Sequence, residues 1–430
     1  MNSILDFVLR FKNDLKIFSG SSLLSIVRLF SGLILLKVIA VTHGLSGVAI
    51  YGQIQNFTSI IQGMIASPVG NGVVKNTAEN KNNSLYLRKI LSTALLIAFI
   101  IFIVLTAIVL IFESAVKDWL NIDLLNSKEL LVILFFGLVS SLGVFLVSIL
   151  NGFEKVKKVI TVSLVSMLIA LVLTIGAMFY MLNDIILVTA FYLGMIGVVQ
   201  IIFISGKYYH LIRQGFSEID MESVKKITPY IFMASVSFIV TPSVLIELRG
   251  DLIHNFNLDT AGDWESSRRL VSIFSSVLTS YFALVLIPKL SNPLLNNSDF
   301  RNIINVNLLM LTVLMITSFL LIYMYRDFVY AVVYNESFKF STDLFVSRML
   351  GEFLKLFIWL YGLIFIVKTM TIWYISTSIA SGLLILISSK FLLEEYGVIG
   401  VNYGYIVSNL VMLILVLIVY LRHTNGRGNV

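Results

Sequence analysis

The stretch SIVRLFSGLILLKVI, residues 25–39, decides the fold class because it reads as part of a membrane-spanning helix. It nevertheless carries two cations, Arg28 and Lys37. A charge near the bilayer centre costs about 2.5–3.5 kcal/mol on insertion scales. A spanning helix that carries such charges is expected to have a use for them.

The composition extends this reading to the whole chain. Its 430 residues are 58% hydrophobic and only 13% charged, with a mean hydropathy of +0.94. Soluble domains are nearer 25% charged, so the sequence predicts a polytopic membrane protein. Cysteine is absent, and the four histidines lack metal-ligand spacing. We therefore expect no metal site. No phosphate-binding P-loop occurs either, so we expect no ATP hydrolysis by this chain.

Apolar segments of about 20 residues, which suffice to cross a bilayer, predict an all-α fold of twelve spanning helices. A Lys or Arg at the edge of a span is counted with the nearest loop. On this count the cytoplasmic segments contain 19 Lys and Arg residues and the outer loops contain six. This bias predicts that both termini are cytoplasmic. The predicted spans are 17–41, 48–72, 90–112, 129–153, 159–180, 185–206, 226–249, 263–287, 302–325, 344–367, 369–392 and 397–421.

The longest cytoplasmic loop divides the chain into two lobes of six helices. We predict an N-terminal lobe at 1–206, a linker at 207–225 and a C-terminal lobe at 226–430. Two equal lobes with a substrate between them are a common plan of secondary transporters. A membrane-embedded glycan polymerase or ligase needs a sizeable outer catalytic loop, which is missing here, so the enzyme reading is disfavoured.

The two halves share a faint internal pattern. AIYGQIQNFTSI (49–60) aligns with GDWESSRRLVSI (262–273) when Tyr51 is matched to Trp264. A Gly-x-x-Gly-Val core recurs in HGLSGVAIYG (43–52) and YGVIGVNYGY (396–405). Both register-matched spans begin on the outer side, so the repeat would be parallel.

Basic residues outnumber acidic ones inside the predicted spans, which favours a cavity for an anion. Arg28 shares a helical face with Ser25 and Gly32, whereas Lys37 lies about 180° away near the outer end. Lys37 is therefore either a second ligand on a distorted helix or an interfacial anchor. The six cations are Arg28, Lys37, Arg268, Arg269, Arg348 and Lys355, against the acids Glu247 and Glu352.

The cations of spans eight and ten have acidic neighbours. Asp263 and Glu265 can neutralise Arg268 and Arg269, which is the alternative to a ligand role. In span ten, Glu352 can pair with either cation along the helix. Glu352 is also a candidate for ion coupling, as is Glu247.

Neutral polar residues and one proline complete the candidates. Gln55, Ser59 and Gln62 lie on one face of span two, where amides suit sugar hydroxyls. Hydrogen bonding between helices explains that face equally well. Pro242 in span seven is a candidate hinge, or a static kink.

Four stretches together resemble a known group of proteins, the Wzx-type flippases of the polysaccharide transporter family in the multidrug/oligosaccharidyl-lipid/polysaccharide (MOP) superfamily. The resemblance covers nearly the whole chain and extends to the common-antigen and O-antigen flippases. The stretches are LLKVIAVTHGLSGVAIYGQIQNF (35–57), VGNGVVKNTAE (69–79), LIPKLSN (286–292) and GEFLKLFIWLYGLIFIVKT (351–369).

The resemblance implies a V-shaped bundle of two six-helix lobes, like that of the MATE transporters, around a cationic cavity in the bacterial inner membrane. It implies movement of an undecaprenyl-pyrophosphate-linked oligosaccharide, such as an O-antigen or common-antigen repeat unit, to the periplasmic leaflet. Arg28 and Lys37 match basic positions of the family's first span. Arg268 and Arg269 lie where relatives carry cavity residues.

The resemblance also sets expectations about partners. We expect no cofactor apart from coupling H+ or Na+, membrane lipids and other polysaccharide assembly proteins as partners, and no nucleic acid. The alternative is a multidrug or organic-ion exporter of the same superfamily. Such exporters use acidic residues in the N-terminal lobe, and the first six spans here contain no central acid.

Overall fold

In this computed structural model the described part of the chain is all-α, as predicted, and contains no β-strand. The structure describes residues 2–424 except 69, 81–82, 123–124, 154, 181–183, 214–220, 283–285, 291–296, 335–340 and 369. The helices are α1 (Asn2–Ala66), α2 (Asn71–Glu79), α3 (Ser84–Ile111), α4 (Glu113–Leu120), α5 (Ser127–Gly152), α6 (Val156–Tyr180), α7 (Ile185–Arg213), α8 (Met221–Asn255), α9 (Leu258–Tyr281), α10 (Ile287–Leu290), α11 (Asn297–Met324), α12 (Arg326–Val333), α13 (Thr342–Val367), α14 (Thr371–Tyr396) and α15 (Val398–Thr424). Side chains are described except at helical positions 2–29 and 205–213 and at scattered positions of α2, α6, α8, α9 and α10.

Nine helical stretches within the described residues are long and apolar enough to cross a membrane. They coincide with ten of the predicted spans, because the stretch Phe30–Ala66 covers parts of the first two. The predicted spans seven and eight correspond to α8 and α9, parts of which lie outside the description. The count of twelve therefore stays a prediction, while the multi-span character is confirmed.

Contacts within the chain define two compact units. The first contains 1–29, 40–48 and 251–430, and the second contains 30–39 and 49–250. The core of the second unit consists mostly of buried aliphatic residues of α1, α3, α5, α7 and α8, joined by the aromatic residues Phe57 and Phe145. The predicted lobe boundary at 207–225 stays a prediction, since much of that linker lies outside the description.

Two glycines with positive φ mark the starts of helical segments. Gly44 interrupts α1 with φ 67° and ψ −159°, and Gly397 precedes α15 with φ 65° and ψ −147°. This backbone conformation is essentially restricted to glycine. Both glycines open the Gly-x-x-Gly-Val pattern found in the sequence, so the shared motif corresponds to a shared backbone turn.

The internal repeat extends along the chain as a repeat of helices. Residues Ser84 and Asn297 begin α3 and α11, which both have 28 residues and start 213 positions apart. The short helices α4 and α12 both have eight residues and start at the same spacing. Gly44 corresponds to Asn257 at that spacing, and Asn257 lies in the break between α8 and α9. The two copies are therefore nearly free of insertions relative to each other over these elements, and the parallel orientation of the repeat stays a prediction.

Burial supports the register that matches Tyr51 to Trp264. The burial pattern is the same at the twelve aligned positions of 48–59 and 261–272. Wherever a residue of one segment is buried, its counterpart is buried, and wherever it is half-buried, its counterpart is half-buried. Tyr51 and Trp264 are each 1% exposed and are among the largest fully buried side chains. Each half thus packs the start of this helix in the same way around one aromatic residue.

Candidate functional site

Glu352 is the centre of a charged cluster inside the first unit. It lies on α13, which packs against α9 and α15. Its Oε1 atom is 2.9 Å from Arg348 Nη2 and 3.8 Å from Lys355 Nζ. Ser275 of α9 and the hydroxyl of Tyr405 of α15 also donate to this carboxylate. The predicted pairing of Glu352 with its helical neighbours is confirmed, and α9 and α15 supply further partners.

Glu265 holds the two cations of α9 in a similar way. Arg268 donates from Nε and Nη2 to the two carboxylate oxygens at 2.8 and 2.6 Å. Arg269 donates from Nε to Oε1 at 2.6 Å. The sequence suggested Asp263 and Glu265 as partners of these arginines, and Glu265 pairs with both. Within this group, one carboxylate is shared by two cations.

The two groups together form what we call the α9–α13 cluster. Arg268, from the group around Glu265, also interacts electrostatically with Glu352, so the two groups are treated as one cluster. Both carboxylates are almost fully buried, whereas the arginines and the lysine are 6–27% exposed. The cluster thus contains four basic and two acidic side chains, a difference of two positive charges within this group. The cluster consists of Glu265, Arg268, Arg269, Arg348, Glu352 and Lys355.

Aromatic rings cover the cations of α13. Arg348 stacks on Tyr405, with its guanidinium carbon 3.8 Å from the ring centroid. Lys355 lies 4.6 Å from the centroid of Trp359 and 5.8 Å from that of Tyr405. Such contacts stabilise a cation without consuming an anionic partner. Gly351 makes room for this arrangement, since a Cβ atom there would lie 2.3 Å from the ring of Tyr405.

Buried hydrogen bonds fix the helices that carry the cluster. Trp264 of α9 donates to Asn402 of α15 at 3.1 Å, and Asn402 donates to Leu344 and Ser347 of α13 at 2.9 and 3.0 Å. The Ser266 hydroxyl lies 3.0 Å from that of Tyr330, which belongs to α12. Buried polar groups that are fully paired set helix register, so α9 and α13 present their charges in a defined geometry.

The equivalent segment of the second unit, residues 49–59 of α1, contains no charged residue. Gln55 and Asn56 correspond to Arg268 and Arg269 in the repeat and are half-buried in the same way. On this predicted sugar-binding face, Ser59 donates to the carbonyl of Gln55 at 2.7 Å. Gln62 donates to Ser140 of α5 at 2.6 Å, which supports the interhelical reading for that residue.

A buried cation that sequence analysis counted with an outer loop lies inside the second unit. Arg249 of α8 is fully buried, and its Nη1 atom donates to Gln53 Oε1 at 2.6 Å. Gln53, also fully buried, was not among the sequence candidates. No signal in the sequence of α1 identified it, because residues two apart on a helix point in nearly opposite directions and the burial of Tyr51 does not predict that of Gln53.

The remaining predicted residues are dispersed. The side chain of Arg28 lies outside the described residues, so its role stays a prediction. Lys37 is exposed on α1, and Glu247 is half-buried on α8. Pro242 is half-buried in α8, which remains helical from Met221 to Asn255, so the hinge also stays a prediction. Within the described part, no group of three or more His, Asp or Glu residues is arranged to hold a metal ion.

Comparisons with known proteins agree with this architecture. The family described as "Polysaccharide biosynthesis protein" matches residues 17–293. Proteins named "Lipid III flippase" from Escherichia coli (strain K12) and Shigella flexneri are 21% identical over 399 residues, covering 90% of this chain and 93% of theirs. A multidrug resistance MATE family transporter of the MOP superfamily, solved in an inward-facing conformation, superimposes with a TM-score of 0.77. It is 14% identical over 94% of this chain and 95% of its own, a likeness that shows the fold. The resemblance to flippases inferred from the sequence is confirmed.

Proposed function

We propose, from the premise that this chain belongs to the polysaccharide biosynthesis protein family, that it is a flippase for a lipid-linked oligosaccharide. It acts as a transporter and carries out no covalent chemistry on its substrate. The substrate is a polyprenyl-diphosphate-linked glycan such as a common-antigen or O-antigen repeat unit. Its movement is from the cytoplasmic to the outer leaflet of the bacterial inner membrane, by a protein with both termini in the cytoplasm.

The observation that carries this proposal is the surplus of positive charge in the α9–α13 cluster. A diphosphate is an anion, and arginine and lysine are the residues that bind phosphate groups in proteins. Charges in a membrane-spanning region are costly and mark substrate or ion pathways. Two excess cations on buried carboxylates therefore fit an anionic lipid headgroup better than the organic cations of multidrug exporters.

The finer features follow from the same proposal. The substrate headgroup binds to the cations, and the neutral face of Gln55 and Ser59 binds the glycan. Twelve spans in two lobes of six alternate between inward and outward access, with Pro242 as a hinge. Glu352 and Glu247 are the candidates for coupling to H+ or Na+. Other polysaccharide assembly proteins are expected partners.

Complementation of bacteria that lack their own flippase tests the proposal. Restored surface polysaccharide, with loss of the accumulated lipid-linked sugar by mass spectrometry, is the expected result, and the accumulated species identifies the glycan. Cells that regain drug resistance but no polysaccharide would instead indicate a multidrug exporter.

The cations of α9 are tested by replacing them with the neutral residues found at the aligned positions of the first half. The triple variant Glu265→Gln, Arg268→Gln, Arg269→Asn replaces the α9 charges by amides, two of which match Gln55 and Asn56 of the repeat. It is expected to reach the membrane at normal levels and to lose transport. Undiminished surface polysaccharide in this variant would contradict a role of these arginines in substrate binding.

Arg28 is tested separately, because it lies in the middle of the first span. We expect Arg28→Ala to reduce surface polysaccharide strongly at matched membrane expression, and Arg28→Lys to retain part of it. If both variants reach wild-type levels, Arg28 has no part in headgroup binding. Lys37→Ala is measured beside it: reduced surface polysaccharide would indicate a second ligand, and wild-type levels would indicate an interfacial anchor.

A further inference from the structure

Among the cations of the α9–α13 cluster, Lys355 is held least tightly. The three arginines lie 2.6–2.9 Å from a carboxylate oxygen. Lys355 Nζ lies 3.8 Å from Glu352, which exceeds hydrogen-bond distance. Its side chain is 27% exposed, against 6–14% for the arginines. Lys355 is therefore the cation of the cluster that a second anion can reach most easily.

Glu352 stays satisfied when Lys355 moves away. The carboxylate accepts hydrogen bonds from Ser275, Tyr405 and Arg348. Three of its partners, one of them charged, therefore remain after the lysine leaves. Arg348 still neutralises the carboxylate, and Ser275 and Tyr405 still donate to it, when the lysine is bound elsewhere.

The surroundings of Lys355 suit a cation that changes partner. Its ammonium group is a compact charge on a flexible stem with three donors, unlike the planar fork of arginine. The ammonium nitrogen lies 4.6 Å from the ring centroid of Trp359 and 5.8 Å from that of Tyr405. It also lies near the middle of α13, within the membrane-spanning stretch Thr342–Val367.

We propose that Lys355 is the exchangeable cation of the site: it leaves Glu352 to bind a phosphate group of the substrate. Glu352 is then an internal counter-anion that competes with the substrate for this lysine. The inference rests on the proposed function and adds to it a mechanism for anion binding and release. Arg348 keeps its place beside Glu352 throughout, stacked on Tyr405.

The mechanism predicts opposite effects of two substitutions. Lys355→Gln should weaken the binding of a prenyl diphosphate about tenfold, which corresponds to about 1.4 kcal/mol. Glu352→Gln should strengthen it several-fold and slow release, because the competing charge is gone. The gain must vanish in the double variant, since it depends on Lys355. Lys355→Arg should retain binding within a few-fold.

The measurement uses the full chain in neutral-lipid nanodiscs with farnesyl diphosphate as the probe and farnesol as the uncharged comparison. Binding of inorganic pyrophosphate in a parallel titration separates recognition of the phosphates from that of the prenyl chain. Lys390→Gln is the matched control, because it removes an exposed lysine of α14 that pairs with Asp251 at 3.4 Å. Size-exclusion chromatography confirms that each variant is folded.

Three results would overturn the inference. Wild-type affinity for the diphosphate in Lys355→Gln would show that the lysine does not bind it. A gain from Glu352→Gln that persists in the double variant would assign the released cation to Arg348. If Glu352→Gln does not fold, loss of binding in both Lys355→Arg and Lys355→Gln would contradict the exchange. A wild-type protein that binds no diphosphate and complements no flippase-null strain would refute the proposed function itself.

Discussion

Arg249 and Gln53 form a 2.6 Å hydrogen bond from Nη1 to Oε1, and neither side chain is accessible to solvent. The amide nitrogen of Gln53 donates in turn to the carbonyls of Leu120 and Ile246 at 3.0 and 3.2 Å. One side chain thus hydrogen-bonds to a buried cation and to two backbone carbonyls. It connects α1, the end of α4 and α8 within the second unit.

We predict that Gln53→Leu destabilises the protein by about 2–4 kcal/mol, because it leaves a buried cation and two carbonyls without this amide. The change should appear as a lower midpoint of thermal unfolding in detergent. Gln55→Leu, two residues away on the half-buried face, should shift the midpoint little. Equal midpoints for the two variants would mean that Gln53 is not a structural centre.

Gly52 provides the space for the same arginine. A Cβ atom at this position would lie 2.8 Å from Arg249 Cζ, so Gly52→Ala must displace a buried, hydrogen-bonded guanidinium. We expect a loss of about 1–3 kcal/mol. Gly176→Ala in α6 is the control, because nothing lies within 4 Å of its Cβ position. That substitution should be neutral or stabilising by up to about 1 kcal/mol, and a similar loss in both variants would refute the steric explanation.

Alanine at Gly44 or Gly397 is expected to cost about 1–3 kcal/mol each, since neither backbone conformation suits a residue with a Cβ atom. Space is not the reason, because no atom lies within 4 Å of the Cβ position of Gly44 and the nearest to that of Gly397 is 3.7 Å away. Unfolding midpoints of the two variants provide the measurement. D-alanine, incorporated at Gly397 by semisynthesis, should restore stability, and failure to do so would argue against backbone strain.

Glu265→Gln alone should be more harmful than removal of Glu265, Arg268 and Arg269 together. The single change leaves Arg268 and Arg269 without their shared carboxylate, which we expect to cost about 3–5 kcal/mol. The triple variant with Arg268→Gln and Arg269→Asn should recover most of that loss. Thermal unfolding of both proteins checks this order, and a triple variant less stable than the single one would contradict it.

The parts of the structure that depend on local sequence were predictable. Hydropathy placed the helices, and helical spacing placed Arg348 and Lys355 beside Glu352. The turn at Gly44 and Gly397 was detectable as a repeated motif, although the motif did not reveal the backbone angles. These features involve residues that are neighbours along one helix or one turn.

Partners on different helices were not predictable in this way. Ser275 and Tyr405 approach Glu352 from 77 and 53 residues away, and no periodicity connects them. Gln53 faces the interior because α4 and α8 pack against α1, which the sequence of α1 does not encode. The position of Arg249 at the end of a predicted span suggested an outer loop, whereas packing buries it completely.

The neutral copy of the repeat separates the requirements of folding from those of activity. Gln55 and Asn56 take the same half-buried positions as Arg268 and Arg269, so the helix bundle can be built without charge at these sites. Charge at these two positions is therefore not a requirement of the helix packing, and the arginines remain available for binding.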